Sequence, residues 1–229
     1  MAAILGKKLG MTQVFQEDGT LVPVTVIEAG PCKVTAVREG ARDGYTAVQL
    51  AFGAVKQGKL SRPEEGHLKK AGAPPFRHLV EFRGEEGPKI GDDVTVDGFE
   101  AGQKVKIAGI TIGKGFQGGI KRHNFSRGPV SHGSHNVRAP GSIGASAFPA
   151  RVFKGMRMPG QMGNKRRTQR GLEISQIDAE RNLLLIRGAV PGAEGGNVIV
   201  RPSLKAARQG ARKKLTPVKA AAAAAPAKK

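Results

Sequence analysis

The sequence predicts a mainly β protein, a small barrel or sandwich from which one long irregular segment departs. Three observations predict it. Short β-branched runs separated by Gly, Pro and Asp fill most of the chain, which is how short paired strands read. Residues 113–170 break that pattern: 11 of these 58 residues are Gly and four are Pro, while only five are Ile, Leu or Val. Charge is segregated as well, since no Asp or Glu occurs at residues 101–172 although the chain holds 18 acids.

The strand-like runs come in order. "LVPVTVIEAG", "CKVTAVRE", "YTAVQLAFG", "HLVEFRG", "DDVTVDGF" and "KVKIAGITIG" precede the irregular segment. "LEISQIDAERNLLLIRGAVPG" and "NVIVRP" follow it and add three more strands, with a tight turn expected at residues 179–182. One interruption, residues 61–75, has Pro63 placed to start a short helix and Gly72 and Pro74 placed to end it, as a helical insertion on the body. The body is therefore expected to comprise residues 1–112 and 171–202, the extension residues 113–170, and a basic low-complexity tail residues 203–229. The extension has too few apolar side chains to form a core, so it should not fold alone. Both its ends return to one body, and half its length, fully extended, reaches about 95 Å, several tens of Å once kinked at Gly and Pro. A coreless loop of this length belongs in a compact protein only if a partner orders it.

Charge indicates the partner's class. The formal net charge is +20 and the pI about 10.7. Residues 113–170 carry 12 Lys/Arg and residues 201–229 nine more, without acids, which leaves 17 basic residues against all 18 acids in the rest. A neutral body with two dedicated basic segments points to a polyanion. No run approaches the roughly 18 apolar residues of a spanning helix, and the start "MAAILGKKLGMTQVF" lacks the apolar stretch of a secretory leader. The single cysteine, Cys32, leaves no internal disulfide and fits a reducing cytoplasm.

Within the extension, "GKGFQGGIKRHNF" misses the phosphate-loop spacing, and its Gly113, Gly115 and Gly118 lack the helix and later carboxylate of a dinucleotide site. Glycine there lets backbone approach a partner while Lys114, Lys121 and Arg122 meet phosphates; a solvated turn is the plainer alternative. His123, His132 and His135 have no carboxylate or nearby thiol to complete a metal site or a catalytic triad. They suit base stacking or donation to phosphate, as does Arg127 between them and Arg138 beyond. In "RVFKGMRMPGQMGNKRRTQR", Arg151, Lys154, Arg157, Lys165, Arg166, Arg167 and Arg170 alternate with Phe153 and methionines, and Gly and Pro interrupt any helix. This mixture suits threading between RNA helices, whose crevices a deep irregular loop needs; a solvated face is the alternative. The tip "GSIGASA" presents Gly141, Ser142, Gly144, Ala145, Ser146 and Ala147, all small, with cations set back at Arg138 and Arg151.

The blocks "GKKLGMTQVF", "GITIGKGFQGGIKRHNF", "SHGSHNVRAPGSIG", "RVFKGMRMPGQMGN" and "DAERNLLLIRGAVPG", in this order, resemble the large-subunit ribosomal protein three family in its bacterial form, over residues 1–202. The resemblance implies a β-barrel of the translation-factor type on the subunit surface and an extension entering the RNA, its tip toward the peptidyl-transferase centre. It also implies a structural role in the large ribosomal subunit, without enzymatic activity, cofactor, metal or homo-oligomer. Binding near the 3′ end of large-subunit rRNA would nucleate assembly beside ribosomal proteins fourteen and nineteen. Lys106, His123 and the "ASAF" tip depart from the family pattern, and the tip lacks the glutamine that some members carry methylated. From the residues alone, a nucleoid-type DNA binder is the main competing reading, and an RNA-modifying enzyme a third that lacks its acid, thiol or cofactor motif.

Overall fold

The computed structural model describes residues 3–84 and 87–203; the tail expected from residue 203 lies, from residue 204 on, outside the described residues. Twelve strands and three short α-helices follow in order: β1 (Ile4–Phe15), β2 (Leu21–Ala29), β3 (Cys32–Arg38), α1 (Gly40–Asp43), β4 (Ala47–Ala54), α2 (Arg62–Lys70), β5 (Phe76–Arg83), β6 (Asp93–Val94), β7 (Lys104–Ile110), β8 (Phe116–Gln117), α3 (Gly119–His123), β9 (Gly160–Gln161), β10 (Arg166–Asp178), β11 (Leu183–Arg187) and β12 (Asn197–Pro202). The protein is mainly β, as its sequence predicts. Among the described residues no helix is long and apolar enough to cross a membrane.

Six strands pair in the order β1-β12-β7-β10-β11-β2 and close on themselves as a barrel. Period-two alternation fills it: Leu184 and Ile186 of β11, and Val198 and Val200 of β12, are buried, while their neighbours Leu183, Leu185 and Ile199 are half-exposed. Ile4, Ile27, Val105, Ile107 and Ile174 complete this core, each contributing about 1.5–3 kcal/mol by leaving water. Gly6 permits the closure, because a Cβ there would lie 2.7 Å from the Glu28 carbonyl oxygen across the β1–β2 pair. One charge is built in. Lys8 is only 8% exposed, and its ammonium donates to the carbonyls of Val190 and Gly192, both at 3.0 Å, fastening the β11–β12 connection to the barrel.

The expected small barrel does not take up every strand of the body. Residues between β2 and β7 build a second, four-stranded sheet in the order β5-β4-β3-β6, whose Val34, Val48, Leu50 and Phe82 share one continuous core with the barrel. Strand runs are written locally, and nothing local says which sheet a strand joins. The run "DDVTVDGF" pairs only at Asp93–Val94 and then forms a 3-10 turn at Val96–Gly98. The helical insertion forms within the expected residues 61–75 as α2, with Pro63 in its first turn. The Glu64 carboxylate accepts hydrogen bonds from the backbone N–H of Ser61 at 3.0 Å and its hydroxyl at 2.8 Å, which hold it below the usual carboxylate range. Leu68 and His67 dock α2 on the sheet, Leu68 by burial and His67 through the Gln49 side-chain oxygen at 2.7 Å. Cys32 lies in the shared core, where burial pushes its thiol up to about 12.

Candidate nucleic-acid interface

The extension leaves the barrel from β7 and re-enters through β10, where Ile110 and Arg166 are paired across the two strands. The expected boundary at residue 170 thus falls inside β10, and Arg166, Arg167 and Arg170 stand on a strand rather than on irregular backbone. "RRTQR" looks unlike a strand because all five side chains are exposed there.

Beyond that pair the two chains continue as a stem that the sequence reading does not anticipate. Thr111 donates its N–H to Lys165 O at 3.0 Å, Lys114 to Met162 O at 2.8 Å and Met162 to Gly115 O at 2.9 Å, and β8 pairs with β9. Within the stem Gly163 has φ +74°, and a Cβ there would run into the carbonyl oxygen of Ile112. No other residue type fits without moving one strand of the stem. Phe125 packs over Gly119 of α3, where a Cβ would sit 2.9 Å from the ring. The carbonyl of Met158 then accepts twice, from an Arg122 guanidinium N–H and from His123 Nε2 at 3.0 Å. A carbonyl cannot donate, so the His123 proton is on Nε2. Gly160 leaves the space in which the Arg122 guanidinium lies.

From 126 to 157 no helix or strand forms. Gly128 donates to Val137 O at 2.9 Å, closing a loop that carries His132 and His135, and Ser142 Oγ donates to Gly144 O at 3.0 Å at the tip. No residue in the whole stretch 110–173 is buried. Instead apolar groups are presented to the outside: Phe148 is 89% exposed, Phe116 75% and Phe153 56%, the last under the Arg151 guanidinium at 5.7 Å. Open aromatic faces beside cations are what nucleobases stack on.

The selected side chains now have places. Lys114, Lys121, Arg127, His132, His135, Arg138, Arg151, Lys154, Arg157, Lys165, Arg166, Arg167 and Arg170 are exposed, as are the tip residues Gly141, Ser142, Gly144, Ala145, Ser146 and Ala147. Arg122 and His123 are half-buried and bound to Met158, so they brace the stem at least as much as they face outward. The fold brings Lys114, Arg122, His123, Lys165 and Arg167 around one cavity of about 510 Å³ between stem and barrel rim. Among the described residues every ion pair lies in the body or in α2, and none involves a cation of the extension. No three His, Cys, Asp or Glu side chains among them come together to hold a metal ion. Two further exposed rings, Phe116 and Phe148, join these cations; the signal for them in the sequence is that each sits next to Gly or Pro, where no apolar periodicity could bury it.

Comparison with known proteins gives the same direction. A family model for ribosomal protein L3 matches residues 89–183. The chain is 54% identical over 208 residues to the large ribosomal subunit protein uL3 of Synechococcus elongatus, covering 90% of this chain and 98% of that protein. It is 51% identical over 212 residues to the protein of the same name from Prochlorococcus marinus strain MIT 9515, covering 92% and 98%. With that of Thermosynechococcus vestitus the identity is 54% over 202 residues, covering 87% and 95%.

Proposed function

Because the chain belongs to the ribosomal protein L3 family, we propose that it is a structural constituent of the large ribosomal subunit in the cytoplasm, with rRNA and neighbouring subunit proteins as its partners. The body, a barrel of the translation-factor type, sits on the subunit surface, and the extension enters the RNA. It binds near the 3′ end of the large-subunit rRNA, nucleates assembly beside ribosomal proteins fourteen and nineteen, and points its tip toward the peptidyl-transferase centre. One observation carries this reading: residues 110–173 hold no buried side chain, and residues 101–172 no acid, while they expose cations and aromatic rings together. A segment with no inside of its own finds its inside in a partner.

The division of labour follows from the geometry. The stem fixes the direction in which the chain leaves the barrel, using backbone hydrogen bonds and the Met158 bracket. Exposed Lys and Arg neutralise phosphates and release counterions, the term that dominates nucleic-acid affinity. Phe116, Phe148 and Phe153 fill spaces against bases and sugars that water would otherwise occupy. Around Gly141 and Gly144 small side chains let backbone pass close to nucleotides, and no group there is equipped for proton transfer.

Titration of the full chain with large-subunit rRNA and with duplex DNA of equal length at one salt concentration tests the proposal. RNA is expected to win by orders of magnitude, and the chain to remain on large subunits after a high-salt wash. Equal affinity for both polymers would replace it with the DNA-binding alternative.

A further inference from the structure

The β1–β2 hairpin runs on past the barrel that it begins. β12 accompanies β1 only over Ile4–Lys7, and Lys8 ends that ladder by donating its N–H to Gly196 O at 2.9 Å and accepting from Gly195 N–H at 2.8 Å. β2 stays beside β1 as far as the Phe15–Leu21 pair. From residue 10 onward, among the described residues, β1 therefore has a strand on one side only.

The register fixes which backbone groups are left open. Antiparallel pairs alternate between those that exchange hydrogen bonds and those that do not. Gln16 donates its N–H to Thr20 O at 3.0 Å, so the bonded pairs of this ladder are Val14–Val22, Thr12–Val24 and Gly10–Val26. In the pairs between them, Met11, Gln13 and Phe15 turn their N–H and C=O groups away from β2, toward the open side. Pro23, opposite Gln13, agrees: it has no N–H to give, and its carbonyl accepts from Gly188 N–H at 2.9 Å on the β11 side. The side chains of the same three residues share one face with Leu21, and there Phe15 is 66% exposed and Met11 51%. Natural proteins blunt such an edge with lysine or proline, and residues 11–15 have neither.

Charge selects the occupant. Residues 9–32 hold no Lys, Arg or His, the longest such run in a chain with 38 Lys and Arg. Acids stand at both ends of the open edge: Glu17 and Asp18 in the exposed turn, and Glu194, whose carboxylate a Cβ on Gly10 would approach to 3.6 Å. An RNA strand would find no cation here to neutralise its phosphates. A second copy pairing antiparallel on the same edge would set the acidic turn of one against Glu194 of the other. An extended protein segment with apolar side chains over Met11 and Phe15, and Lys or Arg toward its ends, meets both conditions.

We propose that the open edge Met11–Phe15 is a strand-addition site, where a basic extended segment of a neighbouring large-subunit protein joins the β1–β2 hairpin as its third strand. It goes beyond the RNA-binding reading and takes from the proposed function only that the chain resides in the large subunit. The acid-free extension serves the RNA, and the cation-free hairpin serves a protein.

Two proline variants test the edge in the free protein, because the register gives them opposite outcomes. Gln13→Pro removes an N–H that faces the open side and should move the thermal midpoint by less than about 2 °C, whereas Thr12→Pro removes one that faces Val24 and should lower it by roughly 2–4 °C or more. Equal midpoints overturn the open edge. The occupant is identified in large subunits assembled with the full chain carrying Gln13→Cys, labelled with a maleimide photoprobe; Cys32 is fully buried and stays unlabelled. Irradiation is expected to join the probe to one other subunit protein, at a peptide where Lys or Arg flanks alternating apolar residues. In competition with the parent, Gln13→Pro is expected to enter subunits about fivefold less well, the worth of one hydrogen bond. Attachment to rRNA, to a second copy, to the chain itself, to a peptide of other character or to nothing overturns the proposal, as does equal incorporation of parent and Gln13→Pro. Failure of the parent chain to enter large subunits removes the reading of its function, whereas entry with the edge unoccupied removes only the strand-addition site.

Discussion

Gly163→Ala is the smallest change that should separate the stem from the rest of the molecule. The new Cβ meets two obstacles, a backbone at φ +74° and the Ile112 carbonyl oxygen already in contact range. Left-handed backbone costs a non-glycine residue about 1–2 kcal/mol. The steric overlap is relieved only by parting the strands, which breaks the hydrogen bonds from Lys114 to Met162 and from Met162 to Gly115, about 1 kcal/mol each. If RNA binds the closed stem, roughly 3 kcal/mol appears as a loss of affinity, on the order of 100-fold. The barrel core contains no stem residue, so the thermal midpoint should stay within about 1 °C of the parent. Gly155→Ala is the control: φ is +86° and nothing lies within 4 Å of its Cβ, so it carries the backbone cost without the collision. The measurement is an rRNA titration of the three proteins at one salt concentration, with a melting curve for each. Equal affinity of the two alanine variants would refute the reasoning, since the stem's closure would then contribute nothing to binding.

Three further outcomes are expected. Lys8→Met keeps the side chain's length but leaves the Val190 and Gly192 carbonyls without their donor; it should lower stability by about 2 kcal/mol, roughly 4–8 °C in midpoint, with faster amide exchange across the β11–β12 connection. Cys32, its thiol pushed up to about 12 by burial, should resist thiol reagents at pH 8 and react only at the rate of global unfolding; rapid labelling of native protein would contradict the core placement. At the tip, Gly144→Asp sets a carboxylate amid the proposed phosphates where Ala145→Arg adds a cation and bulk; both should perturb peptidyl transfer or the response to drugs bound there in assembled subunits, Gly144→Asp more strongly, with the free barrel unchanged.

What the sequence reveals is what its local chemistry determines. The turn at residues 179–182 separates β10 from β11 as the run "DAERN" suggests, and α2 is bounded by the Pro63 and Gly72 that mark it. The cations and the lack of acids need no structure to be seen. Pairing is another matter: β3, β4 and β5 look like further barrel strands until their partners are known. β1 does not read as a strand, because Gly6, Gly10 and its lysines mask the alternation that a bulge between Lys8 and Gly10 then interrupts. The stem was hidden for a physical reason, since backbone hydrogen bonds and absent Cβ atoms hold it together and neither leaves a hydrophobic period. For the same reason Arg122 and His123 read as two more cationic contacts, although the Met158 carbonyl engages both. Charge composition shows which residues can meet a phosphate and not which are already committed to the chain itself.

The extension's two ends are neighbours in one sheet, Ile110 paired with Arg166 on adjacent antiparallel strands. A loop rooted this way places no demand on its own length. Residues added or removed beyond the stem change how far the tip travels while the barrel register stays as it is, and doubling a flexible loop costs only about 0.6 kcal/mol in closure entropy. The reach of such a loop can therefore drift through insertions and deletions without any compensating change in the body, and on the proposed reading its length would be set by the depth of the RNA crevice it enters.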